Sequence, residues 1–479
     1  MTIERSQPVI TIAALSRSGK AANLPGRAKR TAYTKKGRPM KHIAAVLSVL
    51  WLLTVPSALH ALPAAADVQT FTLKNGLKVL VLEDHALPNV TLQIFFRVGS
   101  RNEHPGITGV SHFLEHMMFN GAALYGPKMF DRVLENAGGA TNAYTTEDVT
   151  AYQDWVPKTV LPLIFAMEGD RLGSLALDEK MLESERGVVL SEYTTGYENS
   201  DYELLDAQLR AVAYQIHPYR WPIIGYEDDI RNWRRSDVLD YFRCYYGPNN
   251  ALAVVVGDVT AAEVKALAER FLEPLPSRPL PRPVHLREPA QRGEKRLVVE
   301  KDVSSPRLLI AYHVPETGGE DYYALELLRI ILGSGKTSRL YRALVSDGKL
   351  ATETWTYLPQ ALDPTLFQIY AVAARGVTAA AVEKAIIAEI DKIAAGGVTE
   401  EELQSARNKA VVSFYRSLET MSDKADLLGT YEIFFGGYGK LFSTAEAFKK
   451  VTSGDIRKAA ARYFRPANRT VGIMKKGRD

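Results

Sequence analysis

Cysteine is almost missing from this 479-residue sequence, where Cys244 is the single example. No intrachain disulfide is possible, so the fold must rest on buried cores, which a chain of this length can supply. Cys244 lies in the apolar helical stretch Y-F-R-C-Y-Y and reads as core filler, not as a nucleophile. Long hydrophobic runs are also scarce. The run I-A-A-V-L-S-V-L-W-L-L-T-V, residues 43–55, falls short of the ~20 residues a spanning helix needs. An interleaved basic-aromatic patch is absent, which excludes a nucleic-acid partner.

The charge is unevenly placed. Ten basic residues and one acid, Glu4, fall in residues 1–41. Taking away residues 1–66 leaves 49 basic and 54 acidic residues, net −5, so the overall +4 belongs to the first segment. Lys41, the apolar run and Ala64-x-Ala66 have the three-part form of a secretory signal peptide. The expectation is a targeting segment over 1–66, with Met40 as a more ordinary start, and export to a periplasm. An uncleaved anchor or an organelle transit segment fits less well, because the run is short, continuous and followed by small residues.

Beyond residue 67 the patterns divide in two. Residues 68–83 read as a hairpin turning at Asn75-Gly76. A strand is expected at 90–98 and a buried one at 251–257. Helical patterns cover 108–121, 127–137, 157–172 and 178–215. The stretch P-L-P-S-R-P-L-P-R-P favours an extended linker over 275–294. It separates a segment 67–274 from a segment 295–479. Asp237, Tyr245, Pro248 and Asn250 recur as Asp455, Tyr463, Pro466 and Asn468, all 218 residues later. Strands near 296–301 and 306–313 and a helix near 321–333 match the opening of the first segment. Two repeated α+β domains are expected, each a mixed, mostly antiparallel sheet packed with helices.

The chemistry concentrates in S-H-F-L-E-H-M-M-F, residues 111–119. On a helix, His112, Glu115 and His116 share one face. Two imidazoles one turn apart can hold zinc, with the glutamate beside them to take a proton from water. H-x-x-E-H arises by chance in roughly one chain of this length per hundred. The neighbours Phe113, Leu114, Met117, Met118 and Phe119 make the helix apolar nearly all round, so its polar residues need partners. A catalytic zinc usually takes a third protein ligand. Glu185 and Glu192, in E-S-E-R-G-V-V-L-S-E, lie seven apart on one helix face. One could ligate and the other support a ligand.

These motifs resemble the M16, or pitrilysin-type, metallopeptidases, and the resemblance covers essentially all of 68–479. It implies that His112, His116 and Glu192 bind one zinc ion per chain, that Glu115 is the base and that Glu185 supports a ligand from behind. G-G-A-T-N-A-Y-T, residues 138–145, is similar to the family's edge strand. There Asn142 and Ala143 would contact the backbone of an extended peptide substrate. His217, in I-H-P-Y-R-W-P, reads as structural.

The second segment lacks these groups. Ala324, Leu327 and Leu328 fall opposite His112, Glu115 and His116, while Ala406 and Ser413 fall opposite Glu185 and Glu192. Active members of the family also need an Arg and a Tyr seven residues apart. In T-S-R-L-Y-R-A-L-V-S-D-G-K-L-A-T those places hold Val345 and Thr352. The resemblance therefore implies a zinc-bearing endopeptidase subunit of a heterodimer, whose second M16-type subunit supplies Arg and Tyr. Substitution by the nearby Arg342 or Tyr341 is one alternative. A non-catalytic assembly or peptide-binding subunit is the other.

Overall fold

The computed structural model describes residues 64–477. The expected signal peptide, its start at Met40 and the export it implies lie almost wholly outside the described residues. Among the described residues, no helix is long and apolar enough to cross a membrane.

The chain opens with β1 (Val68–Thr72), β2 (Lys78–Glu83) and β3 (Asn89–Phe96). β1 and β2 form the hairpin at Asn75-Gly76, where Gly76 takes a positive φ of 90°. Then follow α1 (Val110–Met117), α2 (Met129–Asn136), β4 (Ala140–Thr145) and β5 (Thr150–Pro157). Next come α3 (Leu161–Ser174), α4 (Glu179–Glu192), α5 (Asp201–Ala213), α6 (Glu227–Asn232) and α7 (Arg235–Tyr245). The half closes with β6 (Ala251–Gly257) and α8 (Ala261–Phe271). Its strands lie in the order β1-β2-β6-β3-β5-β4, with β2 and β6 parallel and every other pair antiparallel.

The second half runs β7 (Lys295–Glu300), β8 (Arg307–Val314), α9 (Tyr322–Gly333), β9 (Ala351–Tyr357) and β10 (Thr365–Ala373). It continues through α10 (Ala379–Gly396), α11 (Glu400–Arg416), α12 (Met421–Phe434), α13 (Thr444–Lys450) and α14 (Ser453–Tyr463) to β11 (Arg469–Lys475). The strand order is β7-β11-β8-β10-β9, again with one parallel pair, β7 and β11. This is the first sheet without its extra edge strand. The 218-residue offset seen in the sequence carries α7 onto α14 and β6 onto β11 end to end. Two α+β domains with mixed sheets are therefore present. No helix or strand lies between Phe271 and Lys295, in the proline-rich stretch.

Each sheet buries both faces, and alternation sorts the side chains. On β3, Val90, Leu92, Ile94 and Phe96 enter the core shared with α1, whereas Phe95 faces the other way. That other face is covered by α12 of the second half, through Ala425 and Leu428. Reciprocally, Leu205 and Leu209 of α5 cover Leu309 and Ala311 on the second sheet. The two halves thus exchange one helix each.

Two sequence expectations change. The helical pattern 178–215 is broken, because α4 runs into a π-helical turn, Tyr193–Glu198, and α5 restarts where the Ser200 side chain accepts from the Glu203 N–H. Cys244 is exposed, not core filler. Val238, Tyr241 and Phe242 form the buried stripe of α7, and Cys244 falls outside it on the flank of the helix.

Candidate metal centre

The position of α1 is set from its first turn. Gly109 precedes it with a φ of 84°, and a Cβ there would run into the Ile224 carbonyl, so only glycine fits. The Glu103 carboxylate accepts from the Gly109 N–H at 2.7 Å and the Ser111 N–H at 2.8 Å. It thereby satisfies donors that a helix start leaves open. Burial pushes Glu103 up to about 8, against the pull of these N–H groups. Val110, Phe113, Leu114 and Met117 are buried, which leaves His112, Glu115 and His116 on the side facing α4 and β4.

α4 begins at Asp178, whose carboxylate accepts from the N–H groups of Lys180 and Met181. It brings Glu185 and Glu192 to α1. Glu192 Oε2 lies 3.7 Å from His112 Nε2 and 3.5 Å from His116 Nε2. The two imidazole rings meet edge to face, with centroids 4.7 Å apart. Among the described residues, His112, His116 and Glu192 are the one group of three side chains able to hold a metal ion, with ligand atoms all within 4.8 Å. Ligands about 2.1 Å from a tetrahedral zinc lie ~3.4 Å from one another. Two neutral-capable imidazoles and a carboxylate at these separations fit zinc in both chemistry and spacing.

Glu185 does not join the triangle. It accepts from His116 Nδ1 at 2.7 Å, which fixes the ring and leaves Nε2 turned to Glu192. Burial alone would lower His116, but the carboxylates of Glu185 and Glu192 outweigh it and raise it to about 9. Burial would likewise raise Glu185, yet hydrogen bonds from His116 and Asn120 hold it below the usual range.

Glu115 accepts a hydrogen bond of 2.6 Å from the Thr145 hydroxyl, at the end of β4. β4 is the edge of its sheet and carries Asn142 and Ala143, beside β5 on one side only. The structure thus brings together His112, His116, Glu192, Glu185 and Glu115, with the strand of Asn142 and Ala143 adjoining through Thr145. Two residues escaped the sequence reading. Asn120 donates to Glu185 Oε2 at 2.9 Å and to the His116 carbonyl at 3.2 Å. It sits one turn beyond His116, a spacing that could have suggested it. Thr145 has no such signal, being 30 residues from its partner.

In the second half, Ala324, Leu327 and Leu328 are buried in an apolar core, together with Ala406. Val345 packs against that core, and Thr352 is exposed on β9. His217 Nδ1 accepts from the Tyr219 N–H, and its Nε2 donates to the Asp363 carboxylate at 3.1 Å in a polar joint between the halves.

Comparison with known proteins agrees with this architecture. Residues 78–227 match the family model Insulinase (Peptidase family M16), and residues 232–410 match the Peptidase M16 inactive domain. The chain is 32% identical over 445 residues to zinc protease PqqE of Helicobacter pylori, covering 91% of this chain and all of that one. It is 25% identical over 414 residues to a protein of Arabidopsis thaliana named "Probable mitochondrial-processing peptidase subunit beta", covering 84% of this chain and 77% of that one. The crystal structure of a protease from Helicobacter pylori superposes with a TM-score of 0.82 at 32% identity, over 85% of this chain and 99% of that one. The matched motifs, the paired sheets and the extent of likeness lead to one conclusion: this chain belongs to peptidase family M16.

Proposed function

We propose that the chain is an exported zinc-dependent endopeptidase subunit, acting on extended peptides together with a second M16-type subunit. The observation that carries this reading is the convergence of His112, His116 and Glu192 beside Glu115, at the end of an open sheet edge. In this reading His112 Nε2, His116 Nε2 and Glu192 Oε2 would hold the ion. A zinc ion held there would supply an acidified water and a Lewis acid for the scissile carbonyl. Glu115 accepts the water's proton and returns it to the leaving amine. Glu185 and Asn120 orient His116 from behind. The outer edge of β4, at Asn142 and Ala143, pairs with the peptide backbone by strand addition, which needs little of the peptide's sequence.

The need for a partner is supported by Val345 and Thr352. Val345 has no donor, and the short Thr352 hydroxyl donates to the Val372 carbonyl at 3.4 Å, so neither matches the reach of Arg or Tyr toward an oxyanion. The Arabidopsis relative's name, a peptidase subunit, is in line with pairing.

The experiment loads the chain with zinc and offers unfolded peptides of graded length, alone and with a candidate second subunit. The expected result is one zinc per chain by elemental analysis, with hydrolysis only when the second subunit is added. Glu115→Gln should cost at least ~100-fold in turnover while zinc stays bound. Full hydrolysis by the chain alone would remove the partner from the proposal. Retained turnover in Glu115→Gln would remove the base.

A further inference from the structure

β4 is held from both faces. Thr141, Ala143 and Thr145 alternate toward α1, and Ala143 packs on the core that includes Phe113 and Met117. Tyr144 turns the other way, and its hydroxyl donates to Asp426 Oδ1 on α12 at 2.8 Å. Between these two anchorages the strand ends at Thr145, whose hydroxyl grips Glu115 Oε2 at 2.6 Å. A hydroxyl this close to a carboxylate is one of the stronger kinds of hydrogen bond. It engages Oε2, so it restrains the rotation of the carboxylate.

The geometry points to Thr145 as the positioning residue of Glu115, and to β4 as the element that links peptide docking to the orientation of that carboxylate. A glutamate has three rotatable side-chain bonds. The helix backbone fixes only where the first begins. Loss of the Thr145 bond would loosen the carboxylate at Oε2, and a displacement of about 1 Å at a reacting group can cost on the order of a hundredfold. A peptide added to the outer edge of β4 completes the strand's hydrogen bonding and stiffens it, and with it the residue that holds the base. The inference rests on the reading of Glu115 as proton acceptor, and its test separates the two.

The probe is acetohydroxamic acid, which chelates zinc and shares its acidic proton with a neighbouring carboxylate. Its binding to the zinc-loaded full chain is measured by calorimetry and needs no second subunit. Thr145→Val should weaken binding about tenfold, the size of one charge-assisted hydrogen bond. Thr145→Ser should restore it, and zinc content and thermal midpoint should not move. In a Glu115→Ala chain, Thr145→Val should cause no further loss, because the group it positions is gone. In the peptide-hydrolysing assembly, Thr145→Val should lower kcat with little change in KM. An equal loss in the Glu115→Ala background, no loss at all, or a failure of serine to rescue overturns the inference. Peptide turnover retained by Glu115→Gln overturns the underlying reading instead.

Discussion

At the scale of the residue, the site divides into groups legible from spacing and groups legible only from contact. His112, Glu115 and His116 declare themselves because one helical turn separates them and their neighbours are apolar. Glu185 and Glu192 are acidic residues on a helix, which usually face water, and they gain meaning only once α4 lies against α1. Thr145 contributes through a tertiary contact that no local pattern encodes, whereas Asn120 lies one helical turn beyond His116. Glu185 carries a direct prediction. Its carboxylate fixes His116 Nδ1 at 2.7 Å, so Glu185→Ala frees the ring to rotate. Zinc affinity should fall about 10–100-fold, measured by competition with a chelator. An unchanged affinity would mean that the His116 ring keeps its orientation without Glu185. Asp148 carries a second prediction. It accepts from the Tyr219 hydroxyl at 2.6 Å and the Leu362 N–H at 3.0 Å, yet burial pushes it from 3.8 up to about 7. The folded chain then keeps this proton to near pH 7, while the unfolded chain releases it near pH 4. Between those values the folded state binds more protons, so stability falls as pH rises across that window. The slope from one such group reaches about 1.4 kcal/mol per pH unit. Thermal midpoints should decline from pH 5 to pH 7, and Asp148→Asn should flatten the decline. An unchanged slope in the variant would show that Asp148 does not hold a proton.

At the scale of the element, boundaries follow from caps and neighbours more than from periodicity. The pattern over 108–121 becomes the eight-residue α1 because Gly109 takes a positive φ before it, and after Met117 the chain tightens into turns in which Phe119 and Asn120 bond the carbonyls three residues back. The pattern over 178–215 hid a break, although Ser200 three residues before Glu203 is a start signal in its own right. Apolar residues continue through Tyr193 and Tyr197, so hydrophobic spacing alone runs on across the π-helical turn. The pairing of α12 with the first sheet was not legible at all, since a helix's apolar stripe does not say which sheet it covers. Gly429 marks that contact. A Cβ at this position would enter the Phe95 ring, so α12 approaches the sheet at a distance only glycine permits. In a helix, alanine would regain about 1 kcal/mol of backbone preference and blur the outcome. Valine gains less and adds two methyl groups, so overpacking of typically 1–3 kcal/mol should win. Gly429→Val should lower the thermal midpoint, and zinc content should be retained because α1 and α4 lie on the sheet's other face. A midpoint equal to the parent's would mean that α12 can withdraw from the sheet at no cost.

At the scale of the whole molecule, the exchange of α5 and α12 makes each half part of the other's core. From the second half, Leu418, Met421, Ala425, Leu428, Tyr431, Ile433, Phe435 and Leu441 are buried against the first sheet. From the first half, Leu205, Leu209, Ala213, Tyr214 and Tyr219 are buried against the second. At about 1.5–3 kcal/mol for each large apolar side chain, the two faces contribute on the order of 20 kcal/mol before costs. Association of separate fragments costs roughly 4–15 kcal/mol. Polar joints add geometry to the apolar contact. Arg101 reaches Asp363 at 2.5 Å, Gln368 donates to Asp206 at 2.6 Å and Lys424 pairs with Asp84 at 2.6 Å. The segment between the halves also lies against the fold, since Glu288 accepts N–H groups of Gln215, Ile216 and His217. Covalent continuity between the halves is therefore not what holds them. A protease site inserted between Arg282 and Pro283, both exposed, tests this directly. The nicked protein should elute from size exclusion as one species of the parent's size, retain its zinc, and separate only in denaturant. Separation of the two fragments on cleavage would mean that the exchanged helices release their sheets once the chain between them is cut, and that the halves behave as beads on a tether.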